Sequence, residues 1–159
     1  MSISLVFETG NLEKVITDFA SLADFPTGPL MDAIAAIGES QTRRRISEEK
    51  TGPDGTAWLP NAEGTSILLK TGRNLLDSVA SQSSSAEAEW GAAWQYAHVH
   101  QEGAEIVPKG AEFLVFKVGG KTVRAKKVTI PARPFVGLST DNETEIRDVV
   151  TDYLGSLIR

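Results

Sequence analysis

Residues 113–139 read FLVFKVGGKTVRAKKVTIPARPFVGLS. The first part alternates apolar and polar residues on both sides of Gly119-Gly120, which predicts a β-hairpin with a two-glycine turn. The second part cannot continue it. Pro131 and Pro134 each fix φ near −65° and remove an amide donor, so TIPARPFVGLS is neither a central strand nor an ordinary polar loop. A stiff apolar segment carrying one arginine thus follows a hairpin directly.

Beyond it, Thr140 or Asp141 is placed to cap a last helix. Ile146, Val149, Val150, Tyr153, Leu154 and Leu157 form its apolar stripe. Working back from the hairpin, AAWQYAHVHQEG reads as a short helix stopped by Gly103. SVASQSSSAEAEW reads as two short strands around a serine-rich turn, and a helical turn is expected near Ser66 to Lys70. TGPDGTAWLPNAEGTS is a turn-rich loop holding Trp58. Pro29 suits the first turn of a helix lined by Leu30, Ile34, Ile37 and Ile46 and ended by Gly52-Pro53; at about 20 residues it spans roughly 30 Å. Ahead of it, Asn11 is placed to cap a helix whose Leu12, Val15, Ile16, Phe19 and Leu22 share a face. Ile3, Leu5 and Phe7 suggest a first strand. The pattern is α+β: antiparallel strands and hairpins packed with a long helix in the N-terminal half and a C-terminal helix.

The chain has 159 residues, 41% hydrophobic and 23% charged, with a formal net charge of −5. That size favours a single domain spanning 1–159, with 109–128 as a protruding hairpin. The acidic balance argues against a general nucleic-acid binder. With no cysteine, disulfides, thiolate metal sites and cysteine nucleophiles are excluded. The N-terminal MSISLVFETGNLEK does not read as a signal peptide, and no run approaches the length of a membrane span. Synthesis in the cytoplasm, and no membrane partner, are expected.

Catalytic patterns are scarce. His98 and His100 would share a face on a strand but not on a helix, and no third ligand has metal-site spacing. No nucleophile elbow or phosphate loop occurs, and Glu48-Glu49 beside Lys50 reads as a solvated helix end. No catalytic residue, metal or cofactor is expected. A hydrolase would need His98 or His100 gathered with a serine and a carboxylate.

Two basic clusters remain. Arg43-Arg44-Arg45 spreads around the long helix, with Glu39, Glu48 and Glu49 within pairing reach. The hairpin carries Lys109, Lys117, Lys121, Arg124, Lys126 and Lys127 against Glu112. Two readings stay open: lysines guarding an exposed edge, or a surface for an acidic partner or passing DNA. Trp58, a large ring in a Gly/Pro loop, is expected to dock on this chain's core or on a neighbour.

Four stretches in order resemble the phage virion morphogenesis family, the tail completion proteins of Mu-like and related contractile-tailed phages. They are PDGTAW (53–58), ILLKTGRNLLDSV (67–79), YAHVHQEG (96–103) and IPARPFVGLS (130–139). The likeness runs from about Arg43 to the C-terminus, and residues 1–42 match least. Ile46 stands where an aromatic is expected after the basic run.

The resemblance implies a non-enzymatic structural protein of the tail or neck, assembled in the bacterial host's cytoplasm, that completes the tail so that head and tail join. Related proteins form rings, commonly hexameric, around the DNA channel. Implied partners are other copies of the chain and the tail terminator, tube or connector, with non-specific contact to passing DNA. A head-side connector or minor head component is the alternative within that class; a small DNA-binding protein is the alternative outside it. Trp58, Tyr96, His100, Arg133, Pro134 and Phe135 are the assembly candidates. Lys117, Lys121, Arg124, Lys126 and Lys127 are candidates for facing DNA or a partner. Segment 131–139 is expected either to brace the last helix within the chain or to lie at a subunit contact.

Overall fold

The computed structural model describes residues 10–69 and 74–157. The strand expected at Ile3–Phe7 and the Thr71-Gly72 restart lie outside them. Helix α1 (Gly10–Ala23) begins one residue ahead of the Asn11 expected to cap it. Helix α2 (Gly28–Arg44) has proline in its first turn and passes into a π-helical turn, Arg45–Glu49. Together they make the long helix that the periodicity predicts. It stops at Lys50, not at Gly52-Pro53: Lys50 takes a left-handed φ of 57°, and its amide caps the Arg45 carbonyl. The π turn turns two consecutive residues, Arg45 and Ile46, into the interior. A regular α-helix would set them about 100° apart.

After the loop comes a one-turn helix α3 (Asn74–Asp77), then the antiparallel hairpin β1 (Val79–Ser83) and β2 (Ala88–Ala92). This hairpin lies on α2. A Cβ at Gly38 would sit 2.2 Å from the Trp90 ring, so glycine is what lets the indole rest on the helix backbone. Glu39 joins the layers by accepting from Ser81 Oγ at 2.7 Å while pairing with Arg43 at 2.9 Å. Both partners pull its pKa below the usual carboxylate value, Ser81 most.

Helix α4 (Ala97–Glu102) ends at Gly103 and leads into β3 (Ala104–Ile106). Strand β3 pairs antiparallel with β6 (Val128–Ile130), and β4 (Leu114–Val118) with β5 (Lys121–Ala125). The β4–β5 hairpin is thus nested in the chain between the paired strands β3 and β6, and residues 104–130 are here called the arm. Its Gly119-Gly120 tip has the positive φ angles of the expected turn, and the Gly119 amide donates to Glu63 in the 53–69 loop at 2.7 Å.

Helix α5 (Thr140–Leu157) packs on α2 and, more lightly, on α1. Its cap is Ser139, one residue before those expected. The Asn142 amide donates to Ser139 Oγ and the Ser139 amide to Asn142 Oδ1, a reciprocal box with asparagine in the usual glutamate place. Its predicted apolar stripe is half-buried throughout. On α1 the stripe is largely bare: Val15, Ile16 and Phe19 are 47%, 60% and 68% exposed. The core gathers Ile46, Trp58, Leu75, Leu76, Val79, Ala97 and Phe135, from six stretches of chain.

Candidate functional site

The centre of the molecule is the irregular segment 131–139. A buried backbone without helix or sheet must find partners for its N–H and C=O groups, or lose roughly 1–3 kcal/mol for each left unpaired. Here side chains from three other elements supply them. Trp58 Nε1 donates to the Pro134 carbonyl at 3.1 Å. Arg45 Nη1 donates to the carbonyls of Phe135 (3.3 Å) and Gly137 (2.7 Å), while its Nη2 holds Asn142 Oδ1. Gln101 takes the place of a neighbouring strand. Its Oε1 accepts from the Phe135 and Val136 amides at 3.0 and 3.1 Å, and its Nε2 donates to the Val136 carbonyl at 3.1 Å. The Arg133 amide donates to the His100 carbonyl at 2.7 Å. Pro131 and Pro134 have no donor to satisfy, which makes such burial cheaper.

Gly103 makes the approach possible. Its φ is +78°, and a Cβ there would meet the Ile130 carbonyl and the Ala132 nitrogen within 2.9 Å. The end of α4 therefore lies directly against the start of the segment, with no space for a side chain.

The assembly candidates fall into two groups. Trp58, Arg133 and Phe135 are buried, at 7%, 6% and 1% exposure. The Arg133 fork meets no carboxylate among the described residues. Its Nε and Nη2 donate to the Leu59 carbonyl at 3.1 and 2.9 Å, tying the Trp58 loop to the segment, and burial lowers its pKa. Tyr96 and Pro134 are exposed. His100 lies between the two groups. It stacks on Trp94 at 5.7 Å with the rings 9° from parallel, and Tyr96 meets the same Trp94 ring edge-on at 5.3 Å. His100 Nδ1 is buried without a hydrogen-bond partner. Burial first, then the Arg133 charge, holds its pKa below the usual histidine value.

Lys117, Lys121, Arg124, Lys126 and Lys127 are exposed along the arm. Lys127 pairs with Glu105 at 2.8 Å, and Lys126 Nζ stands 6.0 Å over the Phe113 ring. The helix cluster behaves differently. Arg43 and Arg44 pair with Glu39 and Glu49, as their spacing allows, and Arg45 goes inside. Sequence reasoning did not single out Gln101, Asn142 or the inward turn of Arg45. Gln101 lies inside the YAHVHQEG run, but nothing in that run says that its amide stands in for a strand.

No group of three metal-ligating side chains occurs among the described residues, and no described helix is long and apolar enough to cross a membrane. No solved structure gives a significant match. The chain is 30% identical to "Mu-like prophage FluMu G protein 2" of Haemophilus influenzae, over 96% of this chain and 97% of that one. The model of the phage virion morphogenesis family matches residues 8–155. The segment built around Gln101, Trp58 and Arg45 is thus the centre of a chain that belongs to the phage virion morphogenesis family.

Proposed function

We propose that this protein is a structural subunit of the phage tail or neck. It self-associates into a ring around the DNA channel, completes the tail and so allows head and tail to join. It acts by shape and contact and carries out no reaction. The observation that carries this reading is family membership across nearly the whole chain, shared with a Mu-like prophage protein of matching length.

The distribution of order supports it. The backbone of segment 131–139 is held by side chains of its own chain, as a subunit bearing load between neighbours requires. Apolar side chains stay exposed at the periphery, on α1 (Val15, Ile16, Phe19) and on the arm (Val107, Val115), where other subunits would cover them. Other copies of the chain and the tail terminator, tube or connector are its partners. The arm cations contact passing DNA without sequence preference if they line the channel.

Light scattering at low and high protein concentration, with and without purified tails, tests this. A ring-sized species, or loss of free chain onto tail ends, is expected. A strict monomer that ignores tails overturns the reading.

A further inference from the structure

We propose that the arm of one copy of this chain docks on the acidic face of α5 of a second copy, joining subunits head to tail. This rests on the reading of the chain as a self-associating virion subunit, and names the two surfaces that meet.

The arm, residues 104–130, carries Lys109, Lys117, Lys121, Arg124, Lys126 and Lys127 against only Glu105 and Glu112. Among the described residues, Lys127 alone of these cations is in an ion pair. Val115, 63% exposed, sits opposite Arg124 in the ladder and two residues from Lys117, so all three share a face. An apolar side chain set among cations suits a protein surface better than a phosphate backbone.

Helix α5 is the counterpart. Asp141, Glu145, Asp148 and Asp152 recur every three or four residues, which puts them on one side of the helix. All four are exposed, and α5 carries one cation, Arg147. Glu145 accepts from Gln41 Nε2 at 2.5 Å. Asp141, Asp148 and Asp152 have no ion-pair partner among the described residues. Asp141 is favoured by the helix N-terminus; Asp148 and Asp152, further along, gain nothing from it. Carboxylates on successive turns repel one another, and no ion pair among the described residues relieves Asp148 and Asp152.

The two surfaces match in length as well as sign. Asp141 to Asp152 spans roughly 16 Å of helix, and the five-residue β4–β5 ladder that presents Lys117 and Arg124 on one face is about as long. No ion pair joins the arm to α5 within the chain among the described residues. A second copy can therefore take the contact that the first does not make. Because the two patches differ, the contact is heterologous, and repetition closes a ring or runs on as a filament.

The test is reciprocal charge reversal, read as phage titre. The phage encoding this chain is deleted for it and complemented with wild-type or variant protein. One variant carries Lys117→Glu and Arg124→Glu; another carries Asp148→Lys and Asp152→Lys; a third carries all four changes. Circular dichroism and melting confirm that each folds. Either one-sided variant should lower the titre by about 100-fold, since like charges then face each other across the contact. The four-change variant should recover to within about tenfold of wild type. Carbodiimide cross-linking of the concentrated wild-type chain should join arm lysines to Asp148 or Asp152 of another copy. One-sided loss without recovery overturns the pairing while leaving the virion role intact. Loss from the arm variant alone also overturns it, and assigns the arm to DNA or another protein. Unchanged titre in both one-sided variants does the same. If deleting the chain costs no titre at all, the virion reading itself fails.

Discussion

Segment 131–139 and the arm directly before it are neighbours in the chain and opposites in their use of polar groups. In the segment, carbonyls and amides are met by Trp58, Gln101 and Arg45, and Arg133 is turned inward onto Leu59. In the arm, regular pairing satisfies the backbone between the strands and the cationic side chains stand in solvent. The irregular stretch is therefore the fixed part of the molecule, and the regular one is the part with unused valence. Stability should reside in the first and association in the second.

The largest effect expected is from Phe135→Ala. The ring is 1% exposed in the core, and its loss should cost about 3–5 kcal/mol, lowering the melting temperature by about 10 °C or more. Denaturant melts check this. A variant that melted like wild type yet failed to assemble would move Phe135 from the core to the contact and erase the comparison.

Arg45→Met should follow at about 2–4 kcal/mol, because the two carbonyls and Asn142 Oδ1 that it holds lose a buried donor. Arg45→Lys should recover little, since one ammonium lacks the reach of the planar fork. Gly38→Ala should cost about 1–3 kcal/mol by pushing Trp90 off α2. Against these, Lys117→Ala with Lys121→Ala should change stability by less than about 0.5 kcal/mol. A cost above 1 kcal/mol, taken as roughly the upper limit for exposed residues, would mean that the arm is structural after all.

Much of this division is written locally. The Gly-Gly turn, the proline start of α2 and the apolar stripe of α5 depend on neighbours within a turn or two, and periodicity reads them correctly. β3 was not legible: AEI has only three residues, and it becomes a strand because β6 lies beside it. The π turn was not legible either, since a single extra residue in a helix leaves no compositional mark. Arg45 sits in a run of three arginines, and only the path of residues 135–142 decides which of them is buried. Pro131 and Pro134 announce a stiff segment, but not that a glutamine 34 residues away would serve as its sheet partner. Side chains that satisfy distant backbone carry no sequence signature, because the same glutamine is equally at home in water.

The smallest predicted effect concerns the place where α4 packs against the segment. His100 stacks on Trp94, and its backbone carbonyl holds the Arg133 amide. Its pKa lies below the ordinary 6.5, from burial and then from the Arg133 charge. A histidine depressed in the folded state binds its proton more readily when unfolded, so stability is complete above pH 6.5 and falls as pH drops toward the lower folded value. Glu39 acts in a separate window. Its pKa lies below 4.5, so its contribution is lost only in stronger acid. Wild type should therefore melt lower at about pH 5.5 than at about 7.5, and His100→Phe, which keeps a ring on Trp94 but cannot titrate, should flatten that slope. An unchanged slope would assign it to another group and leave His100 as packing alone. A flattened slope with unchanged phage titre would show that the pH response belongs to the brace, as the comparison of the two regions requires.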